Sequence, residues 1–368
     1  MPVDVPIESV GWAAYRIPTD APEADGTLAW DATTMVVVHA HAGACTGLGW
    51  TYAAAAAGHL IGELLADTVT GRCALDSTGA YHAMHRAVRN LGRPGIAATA
   101  ISAVDIALWD LKARLLGVRL ARLLGAVHER VPVYGSGGFT SYDDRQLAAQ
   151  LGGWVHEQGL SRAKIKIGES WGSAVDRDLA RVRRARQIIG ERAELYVDAN
   201  GGYTRKQAVR VAHRMAEHDV SWFEEPVSSD DLDGLRGIRD AVEPDVAAGE
   251  YGWDLPYFQR MCAAGAVDCL QADASRCGGI TEWVRVAAVA AAHNIDVSAH
   301  TAPHLHVDAA LATPNLRHLE WFHDHVRIES TLFDGAARAD GGVLRPDLSA
   351  HGHGLAFKDS DAQPYRLV

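Results

Sequence analysis

Three short apolar runs each end in an acid: Leu195-Tyr196-Val197-Asp198, Ser221-Trp222-Phe223-Glu224 and Val246-Ala247-Ala248-Gly249-Glu250. The intervals are equal, 224 − 198 = 26 and 250 − 224 = 26, about the length of one strand, one helix and two loops. Each acid therefore closes the strand of a repeating βα unit. In a parallel barrel the carboxyl ends of adjacent strands lie side by side, which brings the three carboxylates together. At about 4 Å and an effective dielectric near 20, two such charges repel by roughly 4 kcal/mol. A cation between them removes that cost, and an all-carboxylate set without Cys or His suits Mg²⁺ better than Zn²⁺.

The rest of the chain fits that frame. Eight barrel strands are predicted at Val131–Tyr134, Ala163–Ile167, Leu195–Val197, Ser221–Phe223, Val246–Ala248, Cys269–Gln271, Asp296–Ala299 and His318–Trp321, with helical periodicity between them, as in Leu179, Val182, Ala185 and Ile189. Ahead of them, Thr34-Met35-Val36-Val37-Val38 reads as a strand, and Ala53 to Leu116 as helix stopped by Gly117. The expected architecture is a modified TIM-type (β/α)7β barrel (126–325) behind an N-terminal α+β capping unit (1–125). A C-terminal segment (326–368) returns to the cap. Pro18 to Gly26 is polar and contains two prolines, which predicts a mobile loop able to close over the site as a lid.

Composition narrows the partners. With 48% hydrophobic and 22% charged residues the chain is globular, and a net charge of −11 argues against a nucleic-acid or anionic-membrane surface. A small anionic carboxylate as substrate then requires local cations. Five cysteines (Cys45, Cys73, Cys262, Cys269, Cys277), with no C-x-x-C spacing, give neither a disulfide framework nor a structural zinc. The start, Met1-Pro2-Val3-Asp4, shows no basic and then apolar leader, and no apolar run approaches about 18 residues. A cytoplasmic homo-oligomer is the expectation.

Cations and bases sit on the strands that flank the acids. Lys164 and Lys166, two apart on one strand, share a face, and an ammonium among apolar walls beside a second one has its pKa lowered toward that of a base. Asp273 and His300 close the next two strands beyond Glu250, where the acid can orient the imidazole as a general acid/base. His304 and His306 lie beyond that strand and read as structural. Glu320 ends the eighth strand, where a protonated carboxyl could donate a hydrogen bond. One competing pattern is His39-Ala40-His41, an H-x-H of the kind that zinc amidohydrolase barrels use. It lacks the later histidine ligands.

Lys164-Ile165-Lys166, Val197-Asp198-Ala199-Asn200, Phe223-Glu224-Glu225-Pro226, Ala248-Gly249-Glu250, Asp273 with Gly278-Gly279-Ile280-Thr281, and His300 together resemble the enolase superfamily, specifically its mandelate racemase subgroup. The resemblance implies Mg²⁺ on Asp198, Glu224 and Glu250, bases at Lys166 and His300, and Asp273 as the partner of His300. It also implies substrate contacts from Lys164 and Asn200, and a hydrogen bond from Glu320 to an enolate. A Lys or His base acting with Mg²⁺ is a general property of that superfamily. Asp273 stands where the muconate-cycloisomerase and dipeptide-epimerase subgroup is expected to carry a lysine. The shared step would be removal of a proton alpha to a carboxylate. Dehydration of a sugar acid to a 2-keto-3-deoxy acid is the leading expectation, with racemisation, epimerisation or cycloisomerisation as alternatives. A zinc amidohydrolase or a non-catalytic Mg²⁺-binding barrel would be answers of another kind.

Overall fold

The computed structural model describes residues 4–368. Its first unit is a three-stranded antiparallel sheet, β1 (Ser9–Ala24), β2 (Ala29–Ala42) and β3 (Cys45–Tyr52). One face of this sheet is covered by the cap helix Ile96–Leu115, most of whose residues are buried. Gly47 and Gly49 alternate onto that face of β3 and let the helix backbone approach closely. A Cβ on Gly49 would lie 2.2 Å from the Ala103 carbonyl oxygen and 2.5 Å from the Ala107 nitrogen. Gly49→Ala is therefore expected to cost about 2–3 kcal/mol as the helix is pushed off the sheet, read as a lower denaturation midpoint.

Eight parallel strands then close a barrel: β4 (Val131–Gly137), β5 (Arg162–Lys166), β6 (Glu194–Asp198), β7 (Val220–Glu224), β8 (Asp245–Ala248), β9 (Cys269–Ala272), β10 (Asp296–Ala299) and β11 (Leu316–Phe322). β11 pairs with β4, from Leu319↔Val133 to Phe322↔Ser136, and completes the ring. All eight strands coincide with those expected. Each from β5 on runs to, or within two residues of, the position where an acid, lysine or histidine was expected to emerge, because apolar β-prone residues fill the barrel wall and polar ones mark its rim. A helix also follows β11, at His323–Leu332. Beneath the rim the barrel is filled by Tyr134, Tyr196, Trp222 and His318, all buried.

The C-terminal residues run back to the cap. Phe333–Asp334 pairs with Ala356–Phe357, His353 Nε2 meets the Leu48 carbonyl oxygen at 2.9 Å, and Leu367 N donates to Ala14 O at 2.8 Å. Among the described residues no helix is long and apolar enough to cross a membrane.

The expected loop over Pro18–Gly26 is instead the end of a long hairpin. β1 continues to Ala24, with its register shifting between Pro18 and Glu23. Two prolines and several acids make this stretch read as a loop. Proline costs a ladder donor, and an edge strand tolerates that loss where the pairing is already irregular. The hairpin tip is docked on the barrel mouth: Thr140 N donates to Ala24 O at 2.8 Å, and Trp171 N to Gly26 O at 3.0 Å.

Candidate active site

Parallel register assembles the first half of the site. Lys166 lies beside Asp198 and Asp198 beside Glu224, and residues in register on neighbouring strands share a face. Glu250 follows β8 by two residues, past Gly249 at φ +137, where a Cβ would lie 2.3 Å from the Gln271 carbonyl oxygen. Only glycine turns the chain there. The result is a buried triad, Asp198, Glu224 and Glu250, each offering an oxygen within 4.8 Å of the others. Glu250 Oε2 has no hydrogen-bond partner, although His300 Nε2 stands 3.3 Å away. Three buried acids with an oxygen left free are a fit for a hard divalent cation.

Both lysines face these acids. Lys164 Nζ lies 2.6 and 2.7 Å from the two oxygens of Glu224 and 2.8 Å from Glu320 Oε1, and Lys166 Nζ lies 2.5 Å from Asp198 Oδ2. The expected lowering of their pKa is not what this geometry gives. Burial pulls both ammonium groups down, but Glu224, Glu320 and Asp198 around Lys164, and Asp198 beside Lys166, hold them above the ordinary lysine value. The sequence showed the apolar walls and hid how closely the acids pack. A divalent ion held on the same oxygens would oppose this attraction and lower Lys166 toward a base.

His300 Nδ1 and Asp273 Oδ2 are 2.8 Å apart, which assembles the expected dyad. Asp273 is positioned by its loop: its Oδ1 accepts from Ser275 N at 2.7 Å, while the next amide, Ala274 N, donates to His306 Nε2 at 2.8 Å. Burial opposes its charge, yet the His300 hydrogen bond and surrounding cations keep its carboxyl well below the usual range. His306 is thus a buried support, and His304 is tied to Glu329 Oε2 at 2.7 Å. The cap helix braces the first turn of the helix that follows this loop, Gly279–Ala292. Asp105 Oδ2 accepts from Thr281 N at 2.9 Å, and Trp109 Nε1 donates to Thr281 Oγ1 at 2.8 Å.

Glu320 departs from its expected protonation. Ser136 Oγ donates to it at 2.5 Å and Thr301 N at 2.8 Å. Burial works against its charge, but Lys164 and His300 hold it below the ordinary carboxylate range, so it accepts rather than donates. Lys164 is fully enclosed and does not line the cavity, whereas Asn200, at φ +44 with its Oδ1 unpartnered, does.

That cavity, about 440 Å³, lies between barrel and cap. Its barrel side includes Lys166, Asn200, Glu250, Arg276, His300 and Glu320, and its cap side includes Asp25, Leu28, Trp30, Thr33, Thr34 and Tyr52. Of these cap residues only Asp25 falls in the stretch read as a lid, and Leu28, Trp30, Thr33 and Thr34 were missed in the sequence. His39 and His41 lie on β2 in the cap sheet, and neither belongs to a possible metal cluster among the described residues. The zinc pattern is thereby set aside.

One buried acid ties the hairpin to this wall. Glu23, 1% exposed, accepts from Trp30 Nε1 at 2.8 Å. Burial, then the charge of Asp324, raises its pKa to about 8. A carboxyl raised in the folded state holds a proton that the unfolded chain releases, so its contribution is complete below the ordinary value of 4.5 and is lost as pH rises toward 8. Glu23→Gln should flatten that dependence, leaving the thermal midpoint little changed at pH 4 and raising it by several degrees at pH 9.

Residues 146–362 match the enolase C-terminal domain-like family, and residues 20–125 match the mandelate racemase / muconate lactonizing enzyme N-terminal domain. The chain is 32% identical to the L-talarate/galactarate dehydratase of Salmonella typhimurium over 78% of its length and 73% of that protein's. The structure of that dehydratase liganded with Mg and L-lyxarohydroxamate aligns with a TM-score of 0.90 at 27% identity, covering 100% of this chain and 94% of that one. A 3,6-anhydro-alpha-L-galactonate cycloisomerase of Streptomyces coelicolor is 32% identical over 96% of this chain and 98% of its own. A mandelate racemase/muconate lactonizing enzyme-like protein from Rubrobacter xylanophilus is 50% identical, with a TM-score of 0.94 over 98% of this chain and 99% of that one. Both domain models and these relatives agree, and the chain belongs to the enolase superfamily, in its mandelate racemase subgroup.

Proposed function

We propose that the chain is a Mg²⁺-dependent dehydratase of sugar acids, converting one to its 2-keto-3-deoxy acid. The observation that carries this reading is the placement of two bases on either side of the triad within one cavity: Lys166 on the strand before it, and His300, held by Asp273, on the strands after it. Asp198, Glu224 and Glu250 would hold the Mg²⁺, which when bound supplies Lewis-acid stabilisation of charge growing on the substrate carboxylate.

The chain's own groups then divide the work. Lys166 and Asn200 face the carboxylate end, and Lys164, locked to Glu224 and Glu320, contributes fixed positive charge beneath it. One base takes the α-proton. Dehydration next breaks the C–O bond of the β-hydroxyl, and the His300 imidazolium delivers the proton with which it leaves as water. The resulting enol becomes the 2-keto acid by taking a proton at C3. Glu320, as a carboxylate, keeps Lys164 charged and orders the Thr301 amide.

The dehydratase relative supports this reading. The cycloisomerase relative, aligned nearly end to end, supports a second, in which the same α-proton is lost and an intramolecular bond is rearranged. A screen of sugar acids with Mg²⁺ separates them: 2-keto product formation is expected, and an isomer of unchanged mass without keto product would favour the second.

A further inference from the structure

Among the described residues, the wall of the cavity facing away from the triad carries no free positive charge. Its cap residues are Asp25, Leu28, Trp30, Ala32, Thr33, Thr34, and Tyr52 to Ala54, with no Lys or Arg among them. Besides Lys166 and His300 at the triad end, two basic side chains border the cavity, and neither offers a cation to this wall. The Arg276 guanidinium is committed to the triad end, with Nε 3.6 Å from Asp273 Oδ2, Nη1 3.6 Å from Glu250 Oε1, and Nη1 donating to Glu250 O at 3.3 Å. His325 receives the Ala302 amide on Nδ1 at 3.2 Å and stacks on Tyr52 at a centroid distance of 3.5 Å, so that nitrogen carries no proton. Burial also holds its pKa well below the ordinary histidine value. The acid on this wall, Asp25, is fixed by the Thr27 amide at 2.5 Å and the Leu28 amide at 2.7 Å.

Resting on the sugar-acid reading above, we infer that the substrate carries one carboxylate, gathered at the triad, and an uncharged hydroxylated tail lying against the Thr33–Thr34–Tyr52 wall. It is an aldonate-type monoacid, not an aldarate. A second carboxylate at the far end would lose its hydration, find no cation and meet Asp25, and exclusion by an unpaired charge is an effective source of specificity. Both substrates in the name of the dehydratase relative are diacids, so the inference separates this chain from that protein.

The test compares acids matched in length and configuration, gluconate with glucarate and galactonate with galactarate, on the Mg²⁺-loaded protein. Two readouts are used: α-proton exchange in D₂O, and binding followed by the fluorescence of Trp30, with Trp30→Phe as control. Monoacids should bind and exchange, and their matched diacids should be at least about 100-fold weaker in kcat/KM and in affinity. Thr34→Arg, which adds the missing cation, should move the diacid-to-monoacid ratio upward by about 10-fold or more. Preference for a diacid in either readout, failure of every monoacid to bind, or a ratio unmoved by Thr34→Arg would overturn the inference. Selective monoacid binding without exchange of any acid would leave it standing and sink the dehydratase reading instead.

Discussion

Glu250→Gln is expected to abolish sugar-acid turnover, by at least about 10³-fold in kcat, with the thermal midpoint little changed. Lewis-acid stabilisation is worth several kcal/mol, and each 1.36 kcal/mol is a factor of ten. Glu250 separates this effect from loss of fold better than its partners do. Asp198 and Glu224 also neutralise buried Lys166 and Lys164, so removing either leaves an uncompensated charge. The Glu250 Oε2 atom has no partner to lose. Isothermal titration with Mg²⁺ on the folded variant should show weakened binding, and undiminished turnover would remove the triad from the reaction.

Lys166→Ala should be as damaging, with about 10²–10⁴-fold loss in kcat, the range set by losing a positioned base. Lys166→Arg should not rescue it, since a guanidinium does not give up its proton near neutral pH. Steady-state kinetics on the two variants check this. Full activity in Lys166→Arg would show that the side chain serves only as a fixed charge.

The barrel and its rim were legible because both follow from local pattern. An apolar β-prone run closed by one polar residue recurs at near-equal spacing, and a parallel barrel turns that linear spacing into a ring. Asp198, Glu224, Glu250, Lys166, Asp273 and His300 meet for this reason. What was not legible depends on contacts between segments far apart in the chain. The Glu320 carboxyl is held below its ordinary range because Lys164 reaches it across the barrel interior at 2.8 Å, and no window of sequence contains both. Trp30, Thr33 and Tyr52 reach the cavity only because the cap sheet docks over the mouth. Pro18 to Gly26 was misread since two prolines and a run of acids signal a loop locally, while pairing with Ala32 and Trp30 and docking at Thr140 hold most of it as strand.

The central claim is that Lys166 and His300 act on one substrate from either side of the triad, one at the α-proton and the other at the leaving β-hydroxyl. Proton NMR of the substrate in D₂O with Mg²⁺, on the wild type and on Lys166→Ala and His300→Asn, tests it most directly. The wild type should yield 2-keto product bearing one deuterium at C3. His300→Asn should form no product yet still exchange the α-proton of a substrate whose configuration presents it to Lys166, and Lys166→Ala should lose both with that substrate. If both single variants kept full product formation, neither residue would be a base in the reaction, and the proposed mechanism would be contradicted.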